Sequence, residues 1–222
     1  MEQMSIASFL ANGHSYHLYV YDAIKNVPEG ATLLDAGKIL PSSRIFKYKR
    51  YQSYAGFSNY FRYKLLMEKG GWWADSDLIC LRHFDFSEAY VFGTEMDKGI
   101  QVISAGVLKA PPGSDLMSYA WGVCDSKDPE QLAWGETGPK LIARGVAEFS
   151  LEGYAKPANV FCPISYNDWR KVLEPGIGLP PDPATYAIHL WNEMWRRAGM
   201  DKNDRYDTDC LYERLRREYV GS

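Results

Sequence analysis

Residues 58–80 read SNYFRYKLLMEKGGWWADSDLIC and constrain the fold more than any other stretch. Residues 58–69 predict a helix. Phe57, Tyr60, Phe61, Leu65 and Leu66 fall near one stripe, Ser58 is placed to cap the start, and Gly70 ends it. The apolar run that follows, 72–81, predicts a strand. A helix that turns on two glycines straight into a strand lays one apolar face on the other. Yet this strand carries two aspartates, Asp75 and Asp77, one residue apart.

The rest of the chain has the same mixed character. Residues 4–12 predict a helix closed by Gly13, 17–22 a strand, and 33–40 a short helix stopped by Pro41. Strands are expected at 90–95, 101–109 and 186–191. Helices are expected at 114–124, 139–149, 167–174 and 208–219. The stretch 175–185, PGIGLPPDPAT, holds four prolines and two glycines and reads as a loop. Strands alternating with helices predict an α/β fold with a mostly parallel central sheet and flanking helices. At 222 residues one core suffices, so a single domain, 1–222, is expected.

Composition excludes several functions. A net charge of −3 gives no general pull toward nucleic acid or an anionic membrane. The four cysteines are scattered with no paired spacing, which fits a reducing compartment and small core residues. No run of apolar residues is long enough to span a membrane, and MEQMSIASFLANGH lacks the pattern of a signal peptide. Aromatics make up 14% of the chain, enough to line a sugar or nucleotide pocket as well as a core.

Two aspartates prove little alone. With 15 aspartates in the chain, about one such pair arises by chance, and Asp207–Thr208–Asp209 is a second. That second pair stands at the start of the last helix, where carboxylates cap free N–H groups and suit the helix dipole. The first pair lies inside an apolar stretch. In an extended segment its carboxylates share one face, about 6.5–7 Å apart along the chain. They repel unless a cation sits between them or water reaches both. Oxygen ligands suit Mg²⁺ or Mn²⁺, which also take phosphate oxygens. The alternative is a solvated turn after the glycines. Arg62, on the preceding helix, could bring a forked guanidinium to the carboxylates or to a substrate; its alternative is a surface arginine.

The stretch YAGFSNYFRYKLLMEKGGWWADSDLICLRHFD, 54–85, resembles the Asp-x-Asp sugar-binding region of retaining glycosyltransferases, relatives of the clostridial toxin glucosyltransferases and fungal initiation mannosyltransferases. The shared pattern runs S-[DN]-x-x-R-Y, a leucine, then GG-x-[WY]-x-D-x-D. Weaker echoes are ISAGVLKAP at 103–111, the TGP turn Thr137–Gly138–Pro139, and AIHLWNEMW at 187–195. The resemblance implies a nucleotide-diphospho-sugar transferase (GT-A-like) fold. It implies that Asp77 binds Mn²⁺ or Mg²⁺ directly and that Asp75 contacts metal, ribose and sugar. Arg62 would meet the donor sugar. Ser58, Asn59, Ser104, Ala105, Gly106, Trp191 and Trp195 would line the substrate. His189 would join the metal site late in the chain. For His189 and the tryptophans, plain structural packing stands as the alternative. Asn59 departs from the aspartate of many relatives and cannot supply a charge. Relatives also begin with a strand that supports the nucleotide base, and this sequence opens on the helix after it.

The expected reaction is transfer of a sugar from a UDP- or GDP-sugar to an acceptor hydroxyl, with retention, in polysaccharide or glycolipid synthesis. The expected setting is the cytoplasm, with peripheral association at the inner membrane face. The alternatives are a metal-dependent nucleotide-sugar hydrolase and a non-catalytic sugar-binding relative.

Overall fold

The computed structural model describes residues 1–178 and 182–221, so part of the expected loop at 175–185 lies outside the described residues. The chain opens with helix α1 (Glu2–Ala11), as the sequence predicts, and Gly13 takes a left-handed φ just past its end. Strands β1 (His17–Val20) and β2 (Thr32–Asp35) pair in parallel. The expected helix at 33–40 is therefore corrected. Leu33 and Leu34 pair with β1, and Asp35 accepts the Gly37 N–H at 2.8 Å to open a short 3₁₀ turn, Ala36–Lys38. Pairing with a neighbouring strand overrode a helical stripe that Gly37 already weakened.

Helix α2 (Ala55–Lys69) starts three residues earlier than expected, with no side-chain cap. Ser58 is thus inside the helix, not at its cap. The end is as expected. Gly70 holds φ at 64°, and a Cβ there would lie 2.5 Å from the Pro112 nitrogen, so only glycine fits.

The single strand expected at 72–81 is two strands. β3 (Gly71–Ala74) and β4 (Leu78–Cys80) belong to different sheets, with the aspartates in the turn between. β3 joins β5 (Val91–Asp97) and β6 (Ile100–Ala110) in the order β3-β6-β5, and β4 pairs with β7 (Ala187–His189). Every one of these pairings is antiparallel; β1–β2 is parallel, as is an isolated bridge between Phe92 and Ala155. The expected mostly parallel sheet is not what forms. The cause is connection length. β5 and β6 are joined by Lys98 and Gly99, both with positive φ, and a two-residue turn can only fold a strand back on itself.

The remaining helices are α3 (Asp115–Asp125), α4 (Pro139–Glu148), α5 (Ala158–Phe161), α6 (Asn192–Arg197) and α7 (Leu211–Tyr219). The helix expected at 167–174 is a 3₁₀ run, Tyr166–Leu173. At α7 the expected capping by aspartates does not occur: Cys210 is the cap residue, and Asp207 accepts the Asp209 N–H at 2.8 Å in its own turn.

Sheet β3-β6-β5 is the layer between two cores. Val91 and Val107 point to one, with Leu78, Ile79, Phe161, Ile188 and Trp195; Phe92 and Leu108 point to the other, with Tyr60, Leu66, Leu116 and Ile142. The free edge of β4 is covered by α1. Ser5 donates to the Leu78 carbonyl at 2.7 Å, Ser8 accepts the Cys80 N–H at 2.9 Å, and Asn12 donates to the Cys80 carbonyl at 3.1 Å. The two buried serines and the cap asparagine do for the edge what a further strand does elsewhere. No described helix is long and apolar enough to cross a membrane.

Candidate functional site

The site forms at the corner where the chain leaves one sheet for the other. β3 ends at Ala74, and the Asp75 N–H still reaches the Gly106 carbonyl of β6 at 2.9 Å. The chain then turns, closing with Leu78 N–H on the Asp75 carbonyl at 3.0 Å, and enters β4. The aspartates are thus on a turn and not on an extended strand. Leu78 is the register partner of His189, so the β4–β7 ladder delivers the imidazole to the same corner. One ligand atom from each of Asp75, Asp77 and His189 lies within 4.8 Å of the others.

Asp77 is held from the β7 side. Its Oδ1 lies 3.1 Å from His189 Nε2, and its Oδ2 accepts the Asn192 N–H at 2.8 Å. Trp191 makes this possible by adopting a left-handed φ of 57°, which swings the start of α6 over the carboxylate. Burial pushes the Asp77 carboxyl up, but the His189 charge and these hydrogen bonds outweigh it and hold it below its ordinary value. Burial likewise opposes charge on His189, and Asp77 overrides it, raising the imidazole well above its usual range.

Asp75 is held from the α2 side. Arg62 pairs with its Oδ1 at 3.0 Å, and the Trp73 indole N–H donates to the same oxygen at 2.8 Å. Arg62 is buried and fully engaged. It donates to the Ser58 hydroxyl at 2.9 Å and to the Ala105 carbonyl, and its guanidinium stacks 4.9 Å from the centre of Trp73. Burial still leaves the Asp75 carboxyl above its ordinary value, with Arg62 pulling the other way and Asp77 adding to the rise.

The floor is a bulge in β6. Between the Phe92–Leu108 and Thr94–Ile103 pairs, Gly93 alone faces residues 104–107. Bulges re-aim side chains beside functional sites. This one carries Ser104, Ala105 and Gly106. A Cβ on Gly106 would lie 3.3 Å from Asp75 Oδ2 and 3.4 Å from His189 Cε1.

The donor set fits a divalent cation. Two carboxylates and an imidazole converge over a hydrogen-only floor. Of the other expected residues, Asn59 is buried against Gly138 of the TGP turn, which Tyr63 also grips through the Thr137 carbonyl at 2.8 Å. Trp191 lies against His189, with ring centres 3.9 Å apart and the planes tilted by 39°. Trp195 is not brought to the cluster. It is 1% exposed and packs on Trp169, Tyr206 and Tyr212 in the core.

One residue escaped the sequence reading. Glu95 of β5 lies near Ser104, His189, Asp97 and Asp75, and burial raises its carboxyl above the ordinary value. Its only sequence signal is a second pair of carboxylates one residue apart, Glu95 and Asp97, at the end of a strand.

The chain is similar to parts of several known glycosyltransferases. The chain is similar to the human alpha-1,4-N-acetylglucosaminyltransferase, 32% identical over 28% of this chain and 22% of the relative. It is similar to the lactosylceramide 4-alpha-galactosyltransferases of gorilla and human, 27% identical over 60% of this chain and 43% and 40% of theirs. The matches thus cover less than half of each of these relatives. A solved structure named PaToxG Glycosyltransferase overlaps 56% of this chain and 48% of its own, at 14% identity and a TM-score of 0.41, a partial likeness only. Residues 5–93, which hold α2, Arg62 and both aspartates, match the family of glycosyltransferase sugar-binding regions containing a DXD motif.

Proposed function

We propose that this chain is a metal-dependent, retaining glycosyltransferase that moves a hexose from a UDP- or GDP-sugar to an acceptor hydroxyl on a glycan or glycolipid. The observation that carries this reading is the convergence of Asp75, Asp77 and His189 from two sheets, with Arg62 locked behind Asp75. The names of the relatives support sugar transfer, and one of them names a glycolipid acceptor, lactosylceramide.

Asp75, Asp77 and His189 would hold Mn²⁺ or Mg²⁺; the mixed oxygen and nitrogen set favours Mn²⁺. Bound there, the cation supplies Lewis-acid stabilisation of the negative charge on a leaving diphosphate. The chain's own residues prepare for this. Asp77 is kept ionised by His189 and the Asn192 N–H, and His189 would give up its own proton to become a ligand. Arg62 and Trp73 fix the rotamer of Asp75, leaving its second oxygen over Gly106. Trp191, over His189, closes one side against water. In the transfer, the acceptor oxygen bonds to the anomeric carbon, the bond from that carbon to the phosphate oxygen breaks, and the acceptor's proton passes to the departing diphosphate. Attack on the face of departure retains the configuration and needs no enzymic nucleophile. Polysaccharide or glycolipid synthesis is the setting we propose, at the inner membrane face.

The test is release of nucleoside diphosphate from UDP- and GDP-sugars with Mn²⁺, with EDTA, and in Asp77→Ala. Turnover that needs both Mn²⁺ and Asp77 supports the reading. Turnover that ignores acceptors of every kind supports a hydrolase instead. Absence of both turnover and Mn²⁺-dependent donor binding refutes the transferase.

A further inference from the structure

A second group of polar side chains lies beside the metal-type cluster and is not used by it. Glu95 stands opposite Val102 in the β5–β6 ladder, at the mouth of the bulge. Ser104 stands between it and the site: its hydroxyl accepts the Gly106 N–H at 3.2 Å, and Glu95 lies beside it. Gly106 in turn lies against Asp75 and His189. Two residues beyond Glu95, Asp97 accepts the Tyr166 hydroxyl at 2.6 Å, and the Met96 carbonyl between them accepts Ser165 Oγ at 3.1 Å. Tyr166 meets Trp191 edge-on, ring centres 6.0 Å apart, and Trp191 covers His189. Glu95, Asp97 and Tyr166 are each half-buried, open on one side. The result is a pair of carboxylates with an aromatic wall, reached from the cluster across one serine.

The charges decide what this place can take. A donor diphosphate is anionic and is repelled by Glu95 and Asp97, while Arg62 is committed to Asp75, Ser58 and Ala105. Carboxylates accept hydrogen bonds from hydroxyls, and aromatic rings cover the apolar faces of sugars.

Building on the transferase reading above, we infer that Glu95, with the Asp97–Tyr166 pair behind it, forms the acceptor subsite, and that the acceptor end it receives is an uncharged sugar. Glu95 accepts a hydrogen bond from an acceptor hydroxyl and aims it at the anomeric carbon. Asp97 holds Tyr166 as a rigid wall. An acceptor ending in a uronic or sialic acid is excluded by like charge.

The experiment compares wild type with Glu95→Gln and Glu95→Asp in Mn²⁺, using the donor that the wild type turns over. Transfer to methyl galactoside, methyl glucoside and lactose, and to glucuronic acid and sialyllactose, is measured beside hydrolysis of the donor by water. Acceptor binding is followed separately by saturation-transfer NMR, and folding by near-UV circular dichroism. A lost charge-assisted hydrogen bond predicts that Glu95→Gln raises the acceptor KM and lowers the transfer-to-hydrolysis ratio by about tenfold or more. The donor KM should move less than about twofold, and Glu95→Asp should recover part of the ratio. Equal loss of transfer and hydrolysis places Glu95 in the donor site and overturns the inference. So do an unchanged ratio and a preference for anionic acceptors. A folded wild type with no donor turnover overturns the transferase reading itself, and the acceptor assignment falls with it.

Discussion

Gly106→Ala isolates the geometry of the site from the stability of the fold. Gly106 does not have the positive φ seen at many other glycines, so alanine meets no backbone strain there. Its methyl would stand 3.3 Å from Asp75 Oδ2, 3.4 Å from His189 Cε1 and 3.6 Å from Ser104 Oγ. Ordinary contacts begin near 3.5 Å, so Asp75 and His189 must each retreat by a few tenths of an ångström. Overpacking on this scale costs about 1 kcal/mol, or roughly 2–4 °C in Tm for a chain of this size. The effect on the cation is larger, because disturbing the support of metal ligands costs about 10–100-fold in affinity. A tenfold rise in Kd removes about 1.4 kcal/mol of Mn²⁺-induced stabilisation at saturating metal. The assay is a thermal melt with and without Mn²⁺, with isothermal titration of Mn²⁺ beside it. The metal-free Tm should fall by no more than about 4 °C, and the Mn²⁺ Kd should rise about tenfold. Wild-type affinity in a folded Gly106→Ala protein refutes the idea that Asp75 and His189 close over this floor to hold a cation.

Three further outcomes follow from the contacts. Gly122→Ala, in the interior of α3 with nothing within 4 Å of the new methyl, should stabilise the fold by about 0.5–1 kcal/mol in chemical denaturation and leave Mn²⁺ binding alone. Arg62→Lys keeps the charge but loses the fork that spans Asp75, Ser58 and Ala105. Its cost should be about 1.5–3 kcal/mol, and a change below about 0.5 kcal/mol would show those contacts to be idle. His14 accepts the Phe84 N–H at 3.0 Å and stacks on His83, and burial followed by the His83 charge lowers its pKa from 6.5. The unfolded chain therefore binds the proton more readily. The stability His14 contributes is full above about pH 6.5 and is lost as pH falls below it. Melts from pH 7.5 to 5 should show this decline, and His14→Gln should flatten it.

The parts of the site that the sequence disclosed are those carried by local pattern. The stripe on α2, the glycine pair and the aspartates sit within about two dozen residues, so spacing alone placed Arg62 near Asp75. What the sequence hid depends on distant pairing. The apolar run WWADSDLIC reads as one strand, and only the ladders to β6 and β7 reveal that it bends at Asp75. The resemblance nominated His189, but its approach to Asp77 depends on a register with Leu78, 111 positions away in the chain. The bulge at 104–107 follows from Gly93 facing four residues, a count no single strand records, and Glu95 gains its meaning only through that bulge. The parallel sheet was overestimated because alternation of strands and helices says nothing about a two-residue turn such as Lys98–Gly99. The resemblance also nominated Trp195, yet the turn through Trp191 carries it into the core.

The corner at Asp75–Asp77 has a mechanical consequence. Asp75 is fastened to the β3-β6-β5 sheet through Gly106, whereas Asp77 and His189 ride on the β4–β7 pair. A cation held by all three would act as a rivet between two plates that otherwise meet only through packing and the turn between them. Any sliding of one plate against the other stretches the ligand set, so the metal reads the alignment of the plates and the plates set the grip on the metal. Loading the site should therefore slow amide exchange in β6 and β7 together, although the two strands share no backbone pairing.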